Sequence, residues 1–244
     1  MNLDRSRAIG FDVPQRPSGI GFLPDGTPIV VSPRDRELMS VIGSSLSIHA
    51  DLSSVAPGDW NDLVVDELGR IYVGVFGYDL LGGQPKALTD LHTVVPDDSM
   101  PAVASTLDCP NGAVLTNDSR THVIAETWSC RREAFERDID GNLPGRRSYA
   151  DLGDRMPDGI CVDAAGGIWV ASFNTGEFLR ALDGGEVTDR MSCDGCAIAY
   201  HLDGKNGTTL FCSTHTRTLD AIQSGKQAAM LHTIQVDVPS AAFS

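Results

Sequence analysis

The chain has 244 residues, 41% hydrophobic and 21% charged, with a formal net charge of -14. That composition is ordinary for a soluble globular protein. Its acidity argues against nucleic acid and against an anionic membrane surface, since both need clustered Lys and Arg. The opening Met1-Asn2-Leu3-Asp4-Arg5-Ser6-Arg7 lacks the apolar stretch of a secretion signal, and no run approaches the ~20 apolar residues of a membrane helix. A cytoplasmic location is therefore expected.

In chain order, one pattern returns five times: apolar strand, Asp/Asn/Gly turn, apolar strand. It begins at Ile20-Gly21-Phe22-Leu23-Pro24-Asp25-Gly26-Thr27-Pro28-Ile29-Val30-Val31-Ser32. It recurs at Leu63–Gly74, Ala113–Glu126, Ile160–Ala171 and Ile198–Cys212. The turns fall near Gly26, Gly69, Ser119, Gly166 and Lys205, a spacing of roughly 40–50 residues that is the signature of propeller blades. Further strands complete some of the blades. Glu37–Gly43 and Ser47–Leu52 belong to the first. Arg131–Ile139 and Arg146–Leu152 belong to the third, joined by Asp140-Gly141-Asn142. Phe178–Leu182 and Glu186–Met191 belong to the fourth. Tyr78–Leu91 reads as an inserted loop overhanging one face. Helical periodicity is poor, and Gly and Pro punctuate short apolar runs throughout. The expected fold is all-β, a single β-propeller domain over residues 1–244 built from four-stranded blades.

Two corners stand out. Pro110-Asn111-Gly112 and Pro157-Asp158-Gly159 each feed a short apolar strand. Pro fixes φ and removes a backbone donor, while Gly permits unusual backbone angles. Asn111 and Asp158 are thereby aimed from the same end of equivalent strands toward the axis of a ring. Turn chemistry alone also explains an Asn or Asp at such a corner.

These motifs, taken in order, resemble the senescence marker protein / gluconolactonase / luciferin-regenerating-enzyme-like family. The resemblance runs from Arg16 through Asn61-Asp62-Leu63-Val64-Val65-Asp66 and Tyr72-Val73-Gly74-Val75-Phe76-Gly77-Tyr78. It continues through Pro110-Asn111-Gly112, Ala125-Glu126-Thr127 and Pro157-Asp158-Gly159-Ile160-Cys161-Val162-Asp163. It implies a six-bladed propeller with one divalent cation, Ca²⁺ or Zn²⁺, on the axis. It implies Asn61, Asn111 and Asp158 at the metal, Asn61 and Asn111 also facing a small-molecule substrate, and hydrolysis of a lactone or related cyclic ester. The family's first blade, which carries a Glu ligand, has no counterpart upstream of Arg16. Five blades, a sixth assembled from Ala8–Val13 and Leu231–Val238, or a gap filled by a second subunit in a homo-oligomer are the alternatives.

Asn and Asp oxygens suit a hard cation such as Ca²⁺. A bound cation would polarise a carbonyl and acidify a bound water, with Asp158 as ligand and general base. Asp62, Asp108 and Glu126 are candidates to replace the missing Glu charge. Glu126 closes the strand after that of Asn111 and so is expected at the other rim. Trp60, Phe76, Tyr78, Trp128, Phe173 and Tyr200 are assigned mainly to packing between blades. Cys193-Asp194-Gly195-Cys196 has no partner pair for a zinc site, and the remaining cysteines read as reduced. Gly-x-Ser-x-Gly, a phosphate loop and a dinucleotide fingerprint are absent. Besides hydrolysis, the residues allow metal-free catalysis or ligand binding, and an interaction scaffold.

Overall fold

A computed structural model describes residues 13, 16–43, 45–80, 82–116, 119–216 and 228–241. The described chain is all-β, and its strands form five small antiparallel sheets. Blade I is β1 (Ile20–Phe22), β2 (Pro28–Ser32), β3 (Glu37–Ile42) and β4 (Ser45–Asp51). Blade II is β5 (Trp60–Val65), β6 (Ile71–Val75), β7 (Thr89–Val94) and β8 (Ala102–Leu107). Blade III is β9 (Pro110–Leu115), β10 (Thr121–Glu126), β11 (Arg131–Glu136) and β12 (Arg147–Asp151). Blade IV is β13 (Pro157–Val162), β14 (Ile168–Ser172), β15 (Glu177–Ala181) and β16 (Val187–Ser192). Blade V is β17 (Cys196–Asp203), β18 (Thr209–His215) and β19 (Ala229–Gln235).

Each blade is a meander, with consecutive strands paired in order. The first strands β1, β5, β9, β13 and β17 lie side by side around the axis. The result is a five-bladed β-propeller. All five expected hairpins are present, with boundaries shifted by a few residues at most. Four sheets have the expected four strands, whereas blade V has three among the described residues. Tyr78–Leu91 is a loop only as far as Leu88, since Thr89 already opens β7. The expected strand Ala8–Val13 lies outside the described residues except for Val13.

Alternation of side chains across each strand explains the packing. On β6, Ile71, Val73 and Val75 face blade I and join Ile29, Val31, Leu38 and Trp60. Tyr72, between them, faces blade III and meets Ile124 and Phe135. Both faces are covered, so every residue of β6 is buried. The same logic holds at the next two interfaces. Val123 and Ala125 pack on Ile168 and Val170 between blades III and IV. Trp169 and Ala171 pack on Tyr200 and Leu210 between blades IV and V. Four apolar clusters thus fill four inter-blade interfaces. No comparable packing joins β17 back to β1 among the described residues. At that seam Ile20 and Phe22 are each 59% exposed.

Candidate functional site

A β-bulge recurs at one position in successive first strands. In β5, Trp60 pairs with Val75 and Leu63 with Val73, so Asn61 and Asp62 together oppose one residue. In β9, Asn111 and Gly112 do the same between the pairs Pro110–Glu126 and Ala113–Ile124. In β13, Asp158 and Gly159 do so between Pro157–Ser172 and Ile160–Val170. In blade I, Ser18 N–H donates to Val31 O at 3.1 Å and Gly19 O accepts from Val31 N–H at 2.9 Å, the same arrangement one residue before β1. In β17 the register shifts between Ala197 and Ala199, around Ile198. A bulge bends its strand and re-aims a side chain. Ser18, Asn61, Asn111, Asp158 and Ile198 therefore occupy equivalent positions around the axis.

Hydrogen bonds from these side chains tie the first strands of blades I to IV to one another in sequence. Ser18 Oγ donates to Asn61 Oδ1 at 3.2 Å, and Asn61 Nδ2 donates to Pro110 O at 3.3 Å. The Asn111 amide hydrogen-bonds the Asp158 carboxyl. The same Asn111 Nδ2 donates to Thr127 Oγ1 at 3.1 Å, and Thr127 Oγ1 donates to Pro157 O at 2.8 Å. The structure thus brings Asn61, Asn111 and Asp158 into one ring, each carried by a different blade.

Two carboxyl groups lie in this region. Burial and then the Asp62 charge push the Asp158 carboxyl up to about 8, against the Asn111 and Gly159 hydrogen bonds that hold it down. Burial raises Asp62 to about 6, opposed by the Leu63 N–H it accepts at 2.8 Å. Both side chains keep a residual solvent contact, which tempers the shift without reversing it. Cys109 is buried beside them, and burial pushes its thiol up to about 12. It is a packed, protonated thiol and no nucleophile.

The other acidic candidates serve elsewhere. Glu126 pairs with Pro110 in the β9–β10 ladder, so it lies at the same rim as Asn111 and not at the opposite one. An antiparallel neighbour must end where its partner begins. Its carboxylate is fully buried, bound by Arg146 and Arg131, and accepts the Asp108 N–H at 3.1 Å. Asp108 is held by Lys86 Nζ at 2.9 Å and Ser129 Oγ at 2.7 Å. Neither supplies charge to the ring.

Around this end of the axis, the loop after β6 places Tyr78 against the β10–β11 turn, where Trp128 Nε1 donates to Tyr78 Oη at 2.8 Å. A shallow hollow of about 460 Å³ is lined by Arg34, Asp59, Asp79 and Gly82. Another, of about 270 Å³ between Trp169, Arg180, Arg190 and Ile234–Val238, contains none of the ring residues. Trp60 and Tyr200 belong to the inter-blade core, as their apolar context suggests. Ser18 sits in a third Pro-polar-Gly corner, Pro17-Ser18-Gly19, which repeats the signal that marks Asn111 and Asp158. Asp62 and Thr127 carry no such signal.

Among the described residues, no group of three His, Cys, Asp or Glu side chains is placed to hold a metal ion. The ring offers one carboxylate and two amide oxygens. Asn111 spends both amide hydrogens, on Thr127 and Asp158, which leaves its Oδ1 uncommitted to them. This all-oxygen set fits a hard cation better than zinc, which favours imidazole and thiolate.

Comparison with known proteins agrees with this architecture. The chain is 26% identical over 182 residues to regucalcin of Danio rerio, covering 73% of this chain and 58% of the relative. It therefore spans little more than half that relative's length. A solved luciferin-regenerating enzyme superposes with a TM-score of 0.78 at 18% identity, covering 94% of this chain and 81% of the other. A gluconolactonase from Xanthomonas campestris superposes with a TM-score of 0.70 at 21% identity, covering 81% and 69%. Residues 2–216 match the model of the SMP-30/Gluconolactonase/LRE-like region, and the chain belongs to that family.

Proposed function

We propose that the axial ring hydrolyses a small cyclic ester. The observation that carries this reading is the convergence of Asn61, Asn111 and Asp158 on one axis from three successive bulges, with Asp158 the lone carboxyl among them. The family, which includes gluconolactonases, supports a lactone as the substrate class.

Each residue has a task its chemistry allows. Asp158 takes a proton from the attacking water in its ionised form; because burial lifts the carboxyl to about 8, this base form grows as pH rises through that value. Water oxygen bonds to the ester carbon, the ring C–O bond breaks, and the proton returns to the departing alkoxide. Asn61 spends one amide hydrogen on Pro110 O and keeps a second for a substrate oxygen. Asn111 steadies the Asp158 carboxylate through its amide. Ile198 gives the fifth side of the ring an apolar wall. A divalent cation, when bound, would be held by Asn61 Oδ1, Asn111 Oδ1 and the Asp158 carboxylate, and would supply Lewis-acid polarisation of the ester carbonyl.

The test is turnover of a lactone panel beginning with glucono-δ-lactone, with added Ca²⁺ or with chelator. Asp158→Ala is expected to lower kcat/KM by about 10²–10⁴-fold while the protein stays folded. Turnover unchanged in Asp158→Ala would overturn the assignment. A single ring carboxylate also supports a second reading, in which the same residues act without metal. Activity that persists in chelator would favour it.

A further inference from the structure

We infer that Thr127 is a positioning residue that sets the orientation of the Asn111 amide at the axis. This rests on the axial site proposed above, although its geometry stands alone. A hydroxyl has one hydrogen to give and two lone pairs to receive with. Pro157 O can only accept, so the Thr127 hydrogen is committed to it at 2.8 Å. Thr127 Oγ1 can then only accept from Asn111, at 3.1 Å, so the nitrogen end of the amide must face Thr127. The geometry thus gives Thr127 Oγ1 one donated and one accepted hydrogen bond, each to a fixed partner. With the nitrogen fixed, Asn111 points its other hydrogen at Asp158, and its oxygen cannot exchange places with it.

The hydroxyl is itself held firmly. Thr127 is 5% exposed. Its N–H donates to Cys109 O at 3.2 Å, and its carbonyl accepts from Cys130 N–H at 3.3 Å. It follows Glu126, whose carboxylate is bound by Arg131 and Arg146. The acceptor it uses, Pro157 O, belongs to the residue before Asp158. One hydroxyl thus couples blade III to blade IV at the two residues that must keep their mutual geometry. Groups that orient a ligand in this way commonly change metal affinity or activity about 10–100-fold when removed.

Two variants of the full chain test this. Thr127→Val keeps shape and removes the hydroxyl; Thr127→Ser keeps the hydroxyl and removes the methyl. The direct readout is the Asn111 side-chain amide pair in ¹H–¹⁵N spectra, identified by its loss in Asn111→Asp. In Thr127→Val these protons should exchange with water about fivefold faster, the worth of one net hydrogen bond, and Thr127→Ser should restore the native rate. Calcium titration by calorimetry and lactone turnover follow, with losses of about 10–100-fold expected in Thr127→Val alone. Unchanged amide exchange in a folded Thr127→Val overturns the inference, as does equal loss in Thr127→Ser. If the native chain neither binds calcium nor turns over lactone while the exchange rates behave as described, the hydrolase reading fails and the positioning role stands.

Discussion

Gly112 has no room for a side chain. A Cβ there would lie 2.6 Å from Ile160 N and 2.8 Å from Asp158 O. These are backbone atoms of the neighbouring first strand, so they cannot retreat without moving Asp158. Gly19 faces Asp62 and Leu63 in the same way, and Gly159 faces Ala199. The glycine of each Pro-polar-Gly corner therefore lets adjacent first strands approach, while the residue before it reaches the axis. Gly112→Ala is expected to destabilise the fold by about 1–3 kcal/mol, as overpacking does, and to lower lactone turnover by displacing Asp158. Urea unfolding and a turnover assay check both; a native midpoint would show that β9 and β13 are not in close apposition. Residues of this kind are legible in sequence because the corner repeats: Asn111 and Asp158 share a motif, and the family resemblance adds Asn61. Asp62 is not legible as an electrostatic partner, since its position beside Asn61 becomes meaningful only when two residues of a bulge oppose one. Glu126 departs from its expected rim for a simpler reason. The turn near Ser119 returns β10 to the end where β9 begins, and the antiparallel pairing sets Glu126 opposite Pro110.

Strands of this propeller are stabilised by what covers each face, and β10 shows a consequence. Its His122 is fully buried among Tyr72, at 5.1 Å between ring centroids, and Phe135, at 6.5 Å. Neither ring nitrogen has a hydrogen-bond partner among the described residues. Burial, aided by the Arg137 charge, pushes its pKa down to about 3. The folded state thus binds the neutral ring and the unfolded chain, at about 6.5, binds a proton more readily. Stability from this site is complete above about pH 6.5 and is lost as pH falls toward 3, at no more than about 1.4 kcal/mol per pH unit. Replacing the ring by an uncharged one, His122→Phe, should flatten that part of the profile. Urea unfolding of both proteins at pH 7 and pH 5 measures it, and equal slopes would remove His122 as a source of acid lability. The hairpin β9–β10 that carries this residue is legible from its apolar runs and turn, as are the other four. The outer pair β7 and β8 is not. Thr89-Asp90-Leu91-His92-Thr93-Val94 places polar residues among the buried ones, so neither alternation nor an apolar run marks it.

At the scale of the whole molecule, the four apolar clusters and five blades of the described residues leave one seam among them. The face of blade I that meets blade II is closed: Leu38 and Val31 are wholly buried there. The opposite face carries a cross-strand row, Ile20–Val30–Met39–Ile48, set by strand register. Its middle members are buried, but Ile20 is 59% and Ile48 60% exposed, and Phe22 in the next row is 59% exposed. Five repeats were countable from the sequence because each carries its own turn. How the ring meets itself was not, because no residue pattern distinguishes a face covered by a neighbour from the same face left partly open. Energetics should make the distinction. Leu38→Ala removes packed volume and is expected to cost about 2–5 kcal/mol. Phe22→Ser and Ile48→Ser, at positions already in contact with water, are expected to stay within about 0.5 kcal/mol of the native protein. Thermal and urea unfolding of the three variants, run at one concentration, decide the matter. A cost for Phe22→Ser or Ile48→Ser as large as that for Leu38→Ala would mean that this face is covered in solution, and that the first and fifth blades do not end the packing where the seam now lies.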